Sequence, residues 1–340
     1  MEFREQVPLA PYTTFKIGGP ARWFAEAETE AEILEAVDFA RSRELPLFPL
    51  GGGSNLLVAD EGFSGLVLRI GLKGIGQQDD MFHVAAGEDW DGFVTHAVER
   101  GYAGTECLAG IPGTAGGTPI QNVGAYGQEV SETVVRVRVL NLGTLKFEEF
   151  SNGDCGFSYR RSVFNTTERG KYIVTGASYQ LRKDGTPQVS YADLKRYFQH
   201  CDAPPSLREV SGAVREIRRG KGMYIVPGDP DCRSAGSFFK NPIVPAKRYA
   251  EIVARETGEV PHYPAEDGAV KIPAAWLLER AGFHKGFAMG AAGISSRHTL
   301  ALVNRGGAKA SDIFALRDRI LMVVESRFGI QLEPEPVLLG

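Results

Sequence analysis

The alternation of apolar and polar residues predicts a chain of mixed helices and strands throughout its length. Apolar runs or strict alternation predict strands at 45–50, 65–70, around 82–85, 135–139 and 172–181. Apolar positions at helical spacing, with suitable first and last residues, predict helices after Thr29–Glu32, from Trp90 to Gly101, after Ser206, after Pro273 and from Ser311 to Gly329. We therefore expect an α+β fold.

A change in composition divides the chain near residue 200. Cys201–Pro205 is rich in proline and has the composition of a linker. A chain of 340 residues exceeds what one small core requires, which favours two or three domains.

Composition and charge exclude several classes of protein. The net charge of −4 gives no reason to expect binding to nucleic acid or to acidic membranes. The first residues show no signal peptide, and no apolar run approaches the roughly 20 residues that span a bilayer. The four cysteines show no metal-ligand spacing, so we expect no metal and reduced thiols in a cytoplasmic enzyme.

Two glycine-rich segments have the composition of nucleotide-binding loops. Gly51–Asn55 follows a predicted strand, and its backbone N–H groups, with Ser54 and Asn55, suit a diphosphate. Between Ala109 and Gly127, six glycines occur in nineteen residues with few charges. The alternative for each segment is an ordinary turn, but together they indicate a large nucleotide cofactor.

Three further segments carry candidate chemistry, and each has a structural alternative. Cys155–Phe164 places arginines between aromatic residues, either to face a substrate carboxylate or as the solvated face of a strand. Ser237 follows two small residues, as an exposed hydroxyl or as a buried turn serine. Leu332–Pro336 holds a carboxylate between prolines, for acid/base chemistry or as a solvated tail.

The order of these segments is more informative than any one of them. They run through almost the whole chain as Thr13–Gly19, Gly51–Asn55, Ile111–Gly117, Gln121–Gly127, Cys155–Phe164, Gly236–Pro242 and Leu332–Glu335. This set closely resembles the UDP-N-acetylenolpyruvoylglucosamine reductases, flavoproteins that make the muramic acid of bacterial peptidoglycan. Segments Ser190–Leu194 and Gly268–Lys271 match the longer subtype of that family.

The resemblance implies an architecture. Residues 1–200 would form an FAD-binding module of the vanillyl-alcohol-oxidase type, in two subdomains that divide near residue 70. Residues 206–340 would form an α+β substrate-binding domain, whose C-terminal strand returns towards the flavin site. We expect a cytoplasmic monomer that takes part in cell-wall biogenesis, cell shape and cell division.

The resemblance also implies functional residues. Catalysis would rest on Arg160, Ser237 and Glu335, and the substrate would contact Tyr191, Lys221, Asn241 and Lys271. FAD would be held by Gly51, Gly52, Gly53, Ser54, Asn55, Gly113, Gly116, Gly117, Asn122 and Gly124. NADPH would reduce the flavin, and the UDP-sugar would then accept the hydride at the β-carbon of its enolpyruvyl group. Arg160 and a protonated Glu335 would stabilise the enolate-like carboxylate, and Ser237 would protonate the α-carbon.

The chain departs from the family pattern at two positions. Arg161 stands where the family often has an acidic residue, which leaves open whether Arg160 or Arg161 faces the flavin. Pro336 stands where a branched apolar residue is usual, which bears on the angle of the Glu335 carboxylate.

Two functions of other classes use part of the same pattern. A flavin oxidase would need only the first half of the chain, and it would leave Gly236–Pro242 and Leu332–Glu335 unexplained. A nucleotide-sugar binding protein without redox activity would take up no flavin. Reaction of the reduced flavin with oxygen separates the reductase from the oxidase, and the colour of the protein separates both from the binding protein.

Overall fold

The computed structural model describes residues 1–340 and divides into two units. Unit 1 comprises residues 1–7, 20–53 and 63–220, and unit 2 comprises residues 8–19, 54–62 and 221–340. The chain therefore passes between the units several times, and the first glycine-rich loop changes unit between Gly53 and Ser54.

Helices and strands are mixed along the whole chain, as the sequence pattern predicted. The α-helices are α1 Glu30–Ser42, α2 Trp90–Glu99, α3 Ala192–Tyr197, α4 Leu207–Gly220, α5 Ala246–Val253, α6 Ala274–Arg280 and α7 Ala310–Phe328. The strands are β1 Arg4–Pro8, β2 Pro20–Ala27, β3 Leu47–Leu50, β4 Leu56–Val58, β5 Phe63–Ile70, β6 Ile75–Gln78, β7 Met81–Ala85, β8 Tyr102–Ala103, β9 Gly124–Ala125, β10 Gln128–Glu129, β11 Val134–Asn141, β12 Phe147–Ser151, β13 Tyr172–Gln180, β14 Arg182–Lys183, β15 Ile243–Val244, β16 Tyr263–Pro264, β17 Val270–Lys271, β18 Ala288–Met289, β19 Ala292–Ile294, β20 Leu302–Asn304 and β21 Val337–Leu339.

The first sheet of unit 1 has the order β1-β2-β5-β3, and β5 pairs in parallel with both β2 and β3. Helix α1 begins with the predicted capping box, in which Thr29 Oγ1 accepts from the Glu32 N–H at 3.2 Å. Its apolar face, which includes Ile33 and Val37, is buried with Leu66 and Leu68 of β5. The helix thus covers the sheet whose strand β3 leads into the glycine loop.

The second sheet of unit 1 is antiparallel, with the order β12-β11-β13-β7-β6. The predicted alternation in β11 is confirmed, since Val137 and Val139 are buried and Arg136 and Arg138 are exposed. Helices α2 and α4 share a hydrophobic core with this sheet. Ser206 caps α4 as predicted, because its Oγ accepts from the Glu209 N–H at 3.3 Å.

Unit 2 is built around α6, α7 and three small sheets. The sheets are β18-β19-β20, β15-β17-β16 and the parallel pair β21-β4. Helix α7 ends as predicted, at Gly329 in the left-handed conformation with φ 58°. Pairing of β21 with β4 places the C-terminal strand beside the strand that directly follows Asn55.

The α+β prediction is confirmed, and the predicted functional division between residues 200 and 206 stays a prediction. Helix α4 belongs to unit 1, and the last change of unit comes at Lys221. None of the helices is both long and apolar enough to cross a membrane. All four cysteines are free thiols.

Candidate active site

Two glycine-rich loops of unit 1, Gly51–Gly53 and Gly113–Gly117, lie in direct contact. We call these two loops together the glycine cradle. A Cβ placed on Gly52 would lie 2.6 Å from Gly113 Cα, and one on Gly51 would lie 2.8 Å from Thr114 Oγ1. Gly116 donates its N–H to Ala86 O at 2.9 Å, and a Cβ there would lie 2.5 Å from Ala86 Cβ. Only residues without side chains allow the backbones to approach this closely.

Gly117 marks a different surface of the glycine cradle. A Cβ on Gly117 would meet no atom within 4 Å, and the residue is half-buried. Internal packing therefore does not require glycine at this position. An open patch of backbone of this kind suits close contact with a flat or phosphorylated ligand.

Arg160 sits at a strained position in a tight turn of unit 1. Ser158 and Arg161 exchange two backbone hydrogen bonds of 3.0 Å, and Arg160 between them has φ 57°. Its guanidinium donates from Nη2 to Gly124 O at 2.6 Å and from Nη1 to Asn122 O at 3.4 Å. A non-glycine residue held in this region costs about 1–2 kcal/mol, and such strain clusters at functional sites.

The neighbouring Arg161 has a different environment, because its side chain is exposed whereas Arg160 is half-buried against the second glycine segment. The turn directs the two guanidinium groups to different surroundings. This geometry favours Arg160 as the functional arginine of the pair.

Asn122, predicted to contact FAD, organises the loop around Arg160. Its Nδ2 donates to Glu129 Oε2 at 2.7 Å and to Ser158 O at 3.1 Å, and its Oδ1 accepts from the Ser131 N–H. The residue is almost fully buried and has φ 43°. All three polar positions of its amide are thus used within unit 1 to hold the loop that receives Arg160.

Tyr191, the predicted substrate contact, lies on the surface of unit 1 at the start of α3. Its ring, 44% exposed, packs edge-on against Tyr126 with the ring centroids 5.5 Å apart. Burial raises the pKa of Tyr126 to about 12, with the nearby Arg218 acting in the opposite direction. The exposed aromatic face of Tyr191 suits stacking on a ligand.

Sequence reasoning missed a polar cluster behind the second glycine segment. Arg218 is buried in α4 and donates from Nε to Gly110 O at 3.0 Å, and burial lowers the pKa of its guanidinium. Asp91 accepts from the Gly110 N–H at 2.6 Å and also binds Arg215. These contacts fix both backbone groups of Gly110. The helical spacing of apolar residues in α4 does not distinguish Arg218 from an exposed arginine, so the sequence carried no signal for its burial.

Hydrogen bonds in unit 2 bring together the segments of three residues that lie far apart in the sequence, Asn55, Ser237 and Glu335. The Glu335 N–H donates to Phe238 O at 2.8 Å, next to Ser237, and Lys240 N–H donates to Glu333 O at 3.0 Å. Asn55 Nδ2 donates to Glu335 O at 3.3 Å. The two predicted catalytic residues of unit 2 therefore stand on paired segments, beside one predicted FAD contact.

Ser237 has a neighbour that the sequence did not indicate. Its Oγ lies 3.2 Å from Nε2 of His298, and both side chains are half-buried. We call Ser237, His298 and Glu335 the serine site. A lone histidine in Ser295–Leu300 has no distinctive spacing, so no sequence signal pointed to it.

The predicted substrate residues of unit 2 occupy separate positions. Asn241 Oδ1 accepts from the Ala274 N–H at 2.8 Å and so caps α6, while its Nδ2 is not used in that bond. Lys271 lies on β17 in register with Ile243 and Tyr263 on the two neighbouring strands. Lys221 is half-buried at the start of the long C-terminal part of unit 2.

A buried carboxylate anchors the loop that carries His298. Asp231 accepts from the Ser296 N–H at 3.0 Å, from Ser296 Oγ at 2.7 Å and from Arg297 Nε at 2.9 Å. Burial opposes the charge on Asp231, but the hydrogen bonds from Ser296 and Arg297 prevail and hold its pKa below the usual value. Arg297 also pairs with Asp229.

Comparison with known proteins identifies the family of this chain. Residues 21–145 match the FAD binding domain, and residues 229–339 match the C-terminal domain of UDP-N-acetylenolpyruvoylglucosamine reductase. The reductase of that name from Thermobifida fusca is 46% identical, and the alignment covers 99% of this chain and 98% of the relative. The chain belongs to the UDP-N-acetylenolpyruvoylglucosamine reductase family.

Other members of the family show how far the likeness extends. The reductase from Paraburkholderia xenovorans is 40% identical over 98% of this chain and 96% of its own. The crystal structure of UDP-N-acetylenolpyruvylglucosamine reductase from Thermus caldophilus superimposes with a TM-score of 0.69 at 27% identity, over 100% of both chains. The predicted oxidoreductase class, FAD-binding module and C-terminal domain are confirmed.

Proposed function

We propose that this chain catalyses the NADPH-dependent reduction of UDP-N-acetylglucosamine enolpyruvate to UDP-N-acetylmuramate, with Arg160, Ser237 and Glu335 as its catalytic residues. The observation that supports the shared role of Ser237 and Glu335 is the backbone pairing of their segments, in which the Glu335 N–H donates to Phe238 O. This pairing is consistent with an acid and a carboxylate-binding group that act on one substrate.

The residues present in unit 1 fit FAD. The glycine cradle packs so tightly that added methyl groups would collide at Gly52 and Gly116, whereas Gly117 leaves open backbone. Together with Gly124, the cradle would hold the diphosphate and the flavin by backbone amides, and Ser54 and Asn55, which directly follow Gly53 in the chain, would add their side chains. FAD in this site supplies hydride transfer from NADPH to the β-carbon of the enolpyruvyl group.

Arg160 and Glu335 act on the substrate carboxylate. An enol ether accepts a hydride poorly unless the negative charge that develops on the carboxylate is stabilised. Arg160 supplies a fixed positive charge, because its turn and its bonds to Asn122 O and Gly124 O hold the guanidinium in place. A protonated Glu335 donates a hydrogen bond to the same charge, and groups fixed in advance in this way are worth about 10²–10³ in rate.

Ser237 completes the reaction as the proton donor. Its O–H bond breaks as a C–H bond forms at the α-carbon, and the rigid backbone on either side of Ser237 sets the face that is protonated. Serine is a weak acid, so it serves only against a strongly basic, carbanion-like carbon. General acid catalysis of this kind contributes about 10²–10⁴-fold.

Four residues bind the UDP-sugar in this proposal. Tyr191 covers the nucleotide with its exposed ring, and Lys221 and Lys271 pair with the diphosphate. Asn241 contributes its amide hydrogens, because its carbonyl oxygen is already bonded to Ala274 N. The product feeds peptidoglycan precursor synthesis, and we place the enzyme in the cytoplasm as a monomer that serves cell shape and division.

Stopped-flow absorbance of the purified protein tests the proposal. We expect a flavin spectrum that bleaches with NADPH under anaerobic conditions and recovers when UDP-N-acetylglucosamine enolpyruvate is added. Ser237→Ala should leave the bleaching unchanged and slow the recovery by about 10²–10⁴-fold.

Two results would contradict the proposal. If the flavin colour recovers only with oxygen, the assignment of the FAD-binding domain would stand. The proposed substrate would be wrong, and the protein would act as an oxidase. A Ser237→Ala variant that recovers at the wild-type rate would remove the serine from the mechanism.

A further inference from the structure

The side chain of His298 contacts Ser237, the proposed proton donor. Their atoms Nε2 and Oγ lie 3.2 Å apart, within hydrogen-bonding distance. A serine hydroxyl rotates freely about its C–O bond unless a neighbour fixes it. The histidine is therefore in a position to decide where the hydroxyl hydrogen points.

The backbone holds the two residues in register. Phe238, directly after Ser237, donates its N–H to Leu300 O at 2.8 Å, two residues beyond His298. Ser295 is fully buried, and its Oγ accepts from the N–H groups of Arg297 and His298 at 3.1 and 3.3 Å. The loop bearing His298 is thus pinned to the segment bearing Ser237.

A second set of hydrogen bonds, made by a residue that precedes Ser237 in the chain, holds the same loop. Asp231, which precedes Ser237 in the chain, binds Ser296 through both backbone and side chain, and binds Arg297 Nε at 2.9 Å. Fixing a side chain by packing and supporting hydrogen bonds is how proteins prearrange a reacting group. The serine–histidine distance is consequently set by unit 2 itself.

We propose that His298 is a positioning residue that donates its Nε2–H to the oxygen of Ser237. This assignment, which rests on the proposed role of Ser237 as the acid, leaves the hydroxyl hydrogen free to point at the substrate α-carbon. As that hydrogen moves to carbon, the donated hydrogen bond stabilises the negative charge that remains on the serine oxygen. The oxygen then takes a proton from water, so no other reactant is consumed.

Charge stabilisation of this kind has a measurable signature. A hydrogen bond to a developing oxyanion contributes mainly in the transition state, so its loss lowers the rate rather than the affinity for substrate. The effect belongs to the half-reaction in which the enolpyruvyl group is reduced. It also depends on the serine hydroxyl, and so disappears when that hydroxyl is absent.

The test compares His298→Ala, His298→Gln, Ser237→Ala and the double variant in the FAD-loaded full-length protein. Stopped-flow absorbance gives separate rates for reduction by NADPH and for reoxidation by UDP-N-acetylglucosamine enolpyruvate. We expect His298→Ala to slow reoxidation by about 10- to 100-fold and to leave reduction by NADPH within about threefold. His298→Gln, which retains an N–H donor, should recover most of the rate. His284→Ala, an exposed histidine of the same unit, is the matched control.

The double variant separates this inference from the proposed function. In the Ser237→Ala background, His298→Ala should cost little more, because the two residues act as one unit. The inference is wrong if His298→Ala reoxidises at the wild-type rate while Ser237→Ala is slow, or if the two losses multiply. If Ser237→Ala itself reoxidises normally, the failure lies in the proposed acid.

Discussion

The glycine cradle and the serine site reach a defined geometry by opposite means. In the glycine cradle side chains are absent at the tightest contact, where the backbones of Gly52 and Gly113 approach so closely that a methyl group would not fit. In the serine site the side chains are held by partners, with Ser237 against His298 and the loop of His298 against Asp231. The geometry of the glycine cradle thus depends on the absence of side-chain atoms at its tightest contact, and that of the serine site depends on hydrogen bonds made by side chains.

The difference determines how each region responds to substitution. Adding an atom at Gly52 or Gly116 creates a steric collision, and its cost depends on whether backbone must move. Removing an atom from the serine site leaves hydrogen-bonding groups without partners, and its cost depends on their charge and burial. Substitutions in the two regions should therefore lose activity or stability for different physical reasons.

Arg160 is the position in unit 1 where a charged side chain acts beside the glycines. We expect Arg160→Met to slow flavin reoxidation by the enolpyruvyl substrate by about 100-fold, because the charge on the substrate carboxylate loses its fixed partner. Single-turnover absorbance measures this rate, and reduction by NADPH should change much less. Arg161→Met is the matched control, since that side chain is exposed. A larger loss at Arg161 than at Arg160 would reverse the assignment of the two residues.

Gly116 and Gly117 are adjacent glycines with different constraints. Gly116→Ala brings a Cβ within 2.5 Å of Ala86 Cβ and 2.9 Å of Ala86 Cα, so backbone must shift. We expect a loss of about 1–3 kcal/mol in the free energy of unfolding, measured in urea. Gly117→Ala meets no atom within 4 Å, so it should fold normally and weaken only the binding of FAD, followed by flavin fluorescence. Equal stability of the two variants would disprove the difference between them.

Asp231 provides the pH dependence of unit 2. Its pKa lies below the usual value in the folded protein, so its stabilising effect is complete above the unfolded pKa and is lost as the pH falls through the folded pKa. We expect Asp231→Asn to lose about 2 kcal/mol at neutral pH, with the difference from wild type shrinking below about pH 4. Urea unfolding of both proteins, at neutral pH and below about pH 4, measures this difference in the free energy of unfolding. Asp318→Asn, a surface residue paired with Arg317, should change stability by less than about 0.5 kcal/mol.

Thr29 offers a change that should affect stability alone. Thr29→Ala removes the oxygen that accepts from the Glu32 N–H at the start of α1, and we expect a loss of about 1 kcal/mol. Thr29→Ser keeps the hydroxyl and should restore most of it. Both half-reaction rates should stay at the wild-type level, and a change in either rate would show that α1 influences the site.

The local elements were predictable because their signals are short-range. The capping residues Thr29 and Ser206 and the terminating Gly329 act on backbone within a few positions, and each holds the predicted place. The order of the motifs also led to the family, which the full-length likeness confirms. His298 and Asp231 were not predictable, because each acts through residues that only the folded backbone brings near.

The choice between Arg160 and Arg161 shows the limit of sequence reasoning at a single position. Two adjacent arginines carry the same charge and the same chemistry, so the resemblance assigned the catalytic role to Arg160 but left open which of the two faces the flavin. The turn from Ser158 to Arg161 distinguishes them, since it puts Arg160 at positive φ and against Gly124 O while Arg161 faces solvent.

The helix ends, the alternation of the strands, the glycine segments and the family could be inferred from the amino-acid sequence, because they depend on neighbouring residues or on the order of motifs. The folded chain was needed to show that packing requires glycine at Gly52 but not at Gly117, that Arg160 is held while Arg161 is exposed, and that His298 lies beside Ser237. Steric contact and hydrogen bonding act over a few ångströms in space. The residues they join are set by the path of the backbone, which separation along the chain does not reveal.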